Sequence, residues 1–140
     1  RPEMTAVAEA TVAVQRKNKF LLRRCQAGER WQGLWDFQRF PLASKYLTHK
    51  KTDTLVLRHQ LEQNIHEQSG FKVKINSLES EFQHTVTRYR IRLFCFTAIH
   101  LSGRGKQKEE QKWVSCNELE KIPLSVTGRK FAKKLTIQQN

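Results

Sequence analysis

Apolar and polar positions alternate at the start of the chain. Val7, and then Val12 and Val14, fall on the two-residue period of a half-buried strand over residues 5–15. Lys17-Asn18-Lys19 breaks that pattern with a polar turn before Phe20-Leu21-Leu22, so the opening predicts a hairpin. Residues 23–30 are polar and include Gly28, which reads as a loop. Trp31-Gln32-Gly33-Leu34-Trp35-Asp36-Phe37 then concentrates aromatic side chains, and a strand is expected over residues 34–40.

A connector over 41–51 leads to Thr52 or Asp53, a suitable N-cap for a helix that runs to about Ser69 and closes on Gly70. Leu57, Leu61 and Ile65 recur every four residues and give it a buried stripe. The period returns to two where Phe71, Val73 and Ile75 alternate with Lys72, Lys74 and Asn76, and a further strand is expected from about residue 87 to residue 99. Ser102-Gly103-Arg104-Gly105 is turn-like, and a charged stretch to Lys112 precedes the apolar Trp113-Val114. Asn117-Glu118-Leu119-Glu120 makes one helical turn before Pro123. Residues 127–138 form a basic amphipathic helix, with Phe131 and Leu135 inward and Arg129, Lys130, Lys133 and Lys134 outward. Strands, helix, strands and short helices in this order predict an α/β (α+β) sandwich around a mixed sheet.

Composition narrows the class. The 140 residues fit a single domain spanning 1–140, large enough to hold a core without disulfides or structural metal. No apolar run approaches the roughly 20 residues needed to span a bilayer, and the one from Leu93 to Ile99 is interrupted by Thr97, so no membrane partner is expected. Cys25, Cys95 and Cys116 match neither an even disulfide set nor a zinc spacing, which suits a reducing cytoplasmic compartment. The start at Arg1-Pro2, with Met4 behind it, reads as a domain excised from a longer chain.

Charge points to an anionic partner. Lys and Arg number 26 against 13 Asp and Glu, a formal net charge of +13. It is spread evenly, with 12 basic and 7 acidic residues before Gly70 and 14 and 6 after it. Arg88, Arg90 and Arg92 alternate with Tyr89, Ile91 and Leu93, which places three guanidiniums on one strand face as a phosphate-facing stripe or as a solvated edge. Phe94 and Phe96 continue that face, so it should pass from solvent into core partway along the strand. Arg129 and Lys130 on the last helix suit either DNA contact or solvent. His59, Glu62 and His66 share one helical face, an arrangement common on exposed helices and matching no known metal spacing.

The helix closed by Gly70-Phe71 is the place to test for a Nudix box, whose pattern is Gly, five residues, Glu, seven residues, Arg-Glu-apolar-any-Glu-Glu-any-Gly-apolar. With Gly70-Phe71 on the terminal pair, Ile65 takes the internal apolar position and Glu67 one acidic position. His49 takes the first Gly, Leu55 the first Glu, Gln63 the Arg, Asn64 the next Glu and Gln68 the last. One acidic position in four is filled. Pyrophosphate hydrolysis needs several carboxylates on one face to hold Mg²⁺ against phosphate. The chain therefore resembles a Nudix scaffold without its metal site, and this segment is expected to be non-catalytic and to carry no cofactor.

Three further segments occur in a telling order: Trp31-x-Gly-Leu-Trp-Asp-Phe37, then His84-Thr85-Val86-Thr87-Arg88-Tyr89, then Trp113 followed by Glu118-Leu119, Ile122-Pro123-Leu124 and Arg129-Lys130. Together they resemble the C-terminal Nudix-like domain of MutY-type adenine DNA glycosylases, over nearly the whole chain. The resemblance implies a Nudix-like α/β/α sandwich. Its preceding part would be a helix-hairpin-helix glycosylase domain, usually with an iron-sulfur cluster, and its partner would be duplex DNA containing 8-oxoguanine opposite adenine. In that family a Phe-Ser-His loop reads the oxidised base, and the matching positions here are Val86, Thr87 and Arg88. Thr87 keeps a hydroxyl able to donate to O8 or accept from N7–H. Val86 is not aromatic and Arg88 adds charge. The implied backbone contacts are Arg90, Arg92, Arg129 and Lys130. Asp36-Phe37-Gln38 departs from the family's Glu-Phe-Pro. The rival readings are a free-standing Nudix hydrolase of oxidised nucleotides and a protein-interaction module.

Overall fold

The opening alternation becomes β1 (Thr5–Arg16), turning at Lys17-Asn18 into β2 (Lys19–Arg24). In this computed structural model residues 3–48, 50, 54–106 and 110–139 are described, with side chains as far as residue 137. The remaining elements are β3 (Trp35–Asp36), β4 (Gln38–Leu42), a 3-10 turn (Ser44–Leu47), α1 (Leu55–Ser69), β5 (Lys72–Val86), β6 (Tyr89–Ser102), β7 (Gln111–Ser115), α2 (Cys116–Leu119) and α3 (Val126–Gln139).

The strands form one mixed sheet in the order β3-β2-β1-β6-β5, with β4 beside β1 and β7 beside β2. β1 and β6 are parallel, in register from Thr5 opposite Tyr89 to Gln15 opposite Ile99, and the other pairings are antiparallel. Because alternate side chains of a strand point to opposite faces, β1 and β6 serve two cores. Ala8, Ala10, Val12, Val14, Phe94, Phe96 and Ala98 meet Leu57, Leu61 and Ile65 of α1. Ala13, Ile91, Leu93 and Cys95 meet Phe131, Ala132 and Leu135 of α3. The result is the expected α/β/α sandwich. Phe94 and Phe96 also carry the arginine face of β6 into the core, as the alternation implied.

Local chemistry sets the helix ends. Gly70 takes φ 86° and its N–H meets the His66 carbonyl at 2.9 Å, the left-handed C-cap expected of it. The Ser125 hydroxyl accepts the Gly128 N–H at 3.0 Å and so caps α3. Ser115 and Glu118 form a reciprocal capping box on α2. The expected caps Thr52 and Asp53, together with His49, lie outside the described residues, and α1 starts after Thr54.

Several expected boundaries shift for physical reasons. The strand over 34–40 is interrupted at Phe37, whose N–H is held by the Asp36 carboxylate at 2.9 Å, leaving β3 and β4 as separate pieces. Thr87 does not open a strand. It lies with Arg88 in a two-residue turn between β5 and β6, closed by the Val86–Tyr89 pair, and takes φ 49°. β5 reaches Val86 by way of register shifts between Ile75 and Leu78 and between Leu78 and Ser80, irregularities that hide its length from a simple alternation count.

A Cβ added at Gly70 would lie 2.5 Å from the Arg104 carbonyl oxygen, and the left-handed backbone disfavours any side chain there. Gly70→Ala should therefore lower stability by more than about 1 kcal/mol. Urea titration should show a lower midpoint with an unchanged slope, and an unchanged midpoint would refute the cap.

Candidate functional site

The outward side of α1 is where a Nudix enzyme would gather its metal ligands. Here Gln63 and Glu67 are exposed, and Asn64 and Gln68 are half-buried. Glu62 is engaged elsewhere, since its Oε2 accepts the Ile75 N–H of β5 at 2.8 Å beside the register shift. His59, Glu62 and His66 border an open groove together with Glu67 and Lys72. Among the described residues no group of three or more His, Cys, Asp or Glu is placed to hold a metal ion. Three amides and one solvated carboxylate at these motif positions do not supply the hard oxygen ligands that a phosphate-bridging divalent cation demands, so these residues do not fit that ion.

The β5–β6 hairpin presents the predicted reader positions at its tip. Val86 is half-buried against the core under α3, and Thr87 and Arg88 are exposed. The turn is tied to the start of β1, where the Thr5 N–H meets the Arg88 carbonyl at 2.8 Å. A β-branched residue at positive φ is strained, so this tip is held by its surroundings rather than by preference. Arg90 is exposed one strand position farther in.

Two of the predicted backbone contacts are engaged inside the fold. Arg92 pairs with Glu81 and donates from Nη1 to the carbonyls of Tyr46 and Leu47 at 2.8 and 3.1 Å, which ties the 3-10 turn to β6. The stripe is thus exposed at Arg88 and Arg90 and tethered at Arg92. Arg129 reaches back to the carbonyls of Leu119 and Ile122 at 2.6 and 2.5 Å, closing the C-terminal end of α2. Lys130 is exposed, with its ammonium 5.0 Å from the centre of the Phe82 ring.

Sequence reasoning missed the ion cluster beside this hairpin. Glu9 faces the α3 side of β1, where Arg30 meets it with two nitrogens at 3.0 and 3.2 Å and Arg39 Nη1 lies at 3.0 Å. Arg39 Nε also donates to Asp36 at 2.9 Å, and its Nη2 donates to the Thr127 hydroxyl on the first turn of α3. Arg23 of β2 pairs with Glu29, the residue before Arg30, at 2.7 Å. Burial pushes the Glu9 carboxyl up, but the hydrogen bonds and charges of Arg30 and Arg39 outweigh it and hold the group below its ordinary value. The cluster lines a cleft of about 260 Å³ with Trp31, Cys25 and Pro41. Trp31 takes φ 63° there, 5.4 Å from the Arg30 guanidinium and 5.1 Å from that of Arg39. The one sequence signal was a lone Glu at an inward position of an apolar strand.

The chain belongs to the Nudix family: a family model described as a NUDIX domain matches residues 10–134. No curated protein sequence matches it. Among solved structures it is similar to the MutT protein of Methanosarcina mazei Go1, with a TM-score of 0.77 at 16% identity, covering 100% of this chain and 99% of that one. It is also similar to the E. coli ORF135 protein, with a TM-score of 0.72 at 17% identity over 97% and 92% of the two chains. The C-terminal domain of mouse MUTYH, solved in complex with human PCNA, matches with a TM-score of 0.61 at 14% identity over 95% and 89%. At these identities the likeness is one of fold. No helix is long and apolar enough to cross a membrane among the described residues.

Because the Glu9 carboxyl is lowered from 4.5, it stabilises the folded state fully above that ordinary value, and the contribution is lost as pH falls through the lower folded value. Glu9→Gln should cost about 3 kcal/mol at pH 7, since it leaves the Arg30 guanidinium without a carboxylate and Arg39 with Asp36 alone. Its stability should also fall less than that of the parent between pH 5 and 3. Parallel acid dependence of the two proteins in urea titrations would refute the assignment.

Proposed function

We propose that this chain is a non-hydrolytic Nudix domain that reads 8-oxoguanine opposite adenine in duplex DNA, as the C-terminal part of an adenine DNA glycosylase. One observation carries the reading. At the helix positions where the hydrolase pattern requires Arg-Glu and Glu-Glu, the chain has Gln63-Asn64 and Glu67-Gln68, and the neighbouring Glu62 is bonded to the β5 backbone. Support for the lesion-reading part comes from the exposed hydroxyl at Thr87, on a hairpin tip bearing Arg88 and Arg90, and from the fold likeness to the C-terminal domain of mouse MUTYH.

The chemistry expected at the tip is hydrogen-bond discrimination. Guanine offers a bare N7 acceptor, whereas 8-oxoguanine offers N7–H and O8, and a hydroxyl can serve either group. Arg88 and Arg90 supply phosphate contacts that fix register without reading the base. The excision itself belongs, on this reading, to a preceding glycosylase domain of the same protein.

The second reading, a free-standing hydrolase of oxidised nucleotides, is favoured by the fold likeness to MutT proteins. Phosphate release from 8-oxo-dGTP or dGTP with Mg²⁺ or Mn²⁺ separates the two. It should stay at background, and metal-dependent turnover abolished by Glu67→Gln would establish the hydrolase instead.

Lesion reading is tested by competition between 8-oxoguanine:A and G:A duplexes. Thr87→Val keeps the β-branched shape at the strained φ and removes only the hydrogen bond. It should reduce the preference for the oxidised duplex by about 1 kcal/mol while leaving affinity for G:A nearly unchanged. If wild type and Thr87→Val prefer the oxidised duplex equally, the hydroxyl does not read the base.

A further inference from the structure

The α3 side of the hairpin carries a feature that the lesion-reading proposal does not use. Phe82, His84 and Val86 alternate along β5 onto the face that α3 covers only in part, and Phe82 and Val86 lie at the edge of the core beneath that helix. The Trp31 ring leans over His84, with centroids 6.2 Å apart and planes at 48°. At the other end of the row, Lys130 and Lys134 bring their ammonium groups to 5.0 and 5.6 Å from the one Phe82 ring. Both lysines are exposed.

Two ammonium groups converging on one ring repel each other, and Trp31, Phe82 and His84 are each only half-buried. Cations stand at both ends of the row, Lys130 and Lys134 at Phe82 and the carboxylate-paired Arg30 and Arg39 at Trp31. Burial, and then the charges of Lys130, Arg39 and Arg30, push the His84 imidazole below its ordinary value, which keeps it neutral at pH 7. A neutral ring stacks without adding to that repulsion.

A row of rings flanked by cations suits a strand whose flat bases can stack while its phosphates meet the charges. An acidic peptide would satisfy the lysines and leave the rings without partners. We propose that Trp31, His84 and Phe82 form a stacking platform for unpaired bases of DNA, with Lys130 and Lys134 receiving the adjacent phosphates. The site deepens the DNA-reading function proposed above and rests on it. It lies on the opposite face of the hairpin from Arg90 and Arg92, so a strand on the platform and a duplex on the arginine face would meet at the tip.

The test compares binding of a dye-labelled thymidylate strand of about 12 nucleotides with that of an abasic strand of the same length and charge, by fluorescence anisotropy over a range of salt. Wild type should bind the thymidylate strand about tenfold more tightly. Phe82→Leu retains apolar volume at the core edge and removes the ring, and it should erase most of that preference while leaving the salt slope unchanged. Lys130→Gln and Lys134→Gln should each weaken both strands equally and make the slope shallower by roughly 0.7, the single-strand value per lost phosphate contact. Lys17→Gln, in the turn between β1 and β2, serves as a charge control and should leave the base preference intact. Thermal melting establishes that each variant is folded.

Equal affinity of wild type for the two strands, or an undiminished preference in folded Phe82→Leu, overturns the platform. The lesion-reading proposal fails separately. If Thr87→Val leaves the duplex preference intact while the thymidylate preference holds, the platform stands and the hairpin reader falls.

Discussion

The face of the sheet beneath α3 is organised by one buried carboxylate meeting two guanidiniums. Glu9 stands in the middle of β1, 8% exposed, where the neighbouring inward positions are Thr11 and Ala13. An isolated charge there would be prohibitive, so the fold must deliver cations to it. It does so from two directions. Arg30 comes from the loop between β2 and β3, and Arg39 comes from β4 and continues to Asp36 and to Thr127 of α3. A single charged node therefore sets the position of a loop, a strand and a helix start. Trp31, the residue after Arg30, is held at φ 63° beside this node, a conformation that costs free energy unless its surroundings impose it.

Features that depend on short-range periodicity were legible in the sequence, and those that depend on distant partners were not. Leu57, Leu61 and Ile65, Gly70 and the hairpin at Lys17-Asn18 lie where alternation and capping chemistry put them, because each is decided within a few residues. Arg92 and Arg129 read as surface charge, yet the carbonyls they meet belong to Tyr46, Leu47, Leu119 and Ile122, and only the tertiary fold supplies those acceptors. Thr87 read as the start of a strand from the returning two-residue period, but closing the Val86–Tyr89 pair places it in the turn. The same limit hid the ion cluster, whose members come from β1, the β2–β3 loop, β3, β4 and α3.

Strand alternation also gives the β5–β6 hairpin two unlike sides. Arg90 and Arg92 share the face that Phe94 carries down to α1, whereas Val86, His84 and Phe82 lie with Tyr89 and Ile91 on the α3 face. Tyr89 is 38% exposed, and its ring centre is 5.8 Å from the Arg30 guanidinium, so the ion cluster reaches the hairpin tip. On the proposed function, charge on one side and rings on the other would let a narrow projection hold a phosphate backbone and contact bases at once, without one group serving both purposes. Thr87 stands in the turn that joins these two sides, at φ 49° and exposed.

The neutral motif positions on α1 fit this picture through the sign of their charge. A Nudix hydrolase confronts phosphate with carboxylates and reverses the repulsion by placing a divalent cation between them. With three of those four positions lacking a carboxylate, less negative charge faces a phosphate, and a net charge of +13 favours anions without an ion between. What disappears with the metal is the polarisation of a phosphoryl oxygen and the activation of water, the two steps that make binding productive. On the function proposed above, attraction without activation suits a domain that must hold intact DNA, since a hydrolytic centre beside the backbone would endanger the strand it inspects. On that proposal the neutral residues of α1 and the cations of the hairpin and α3 serve one end, a surface that holds phosphates without turning them over.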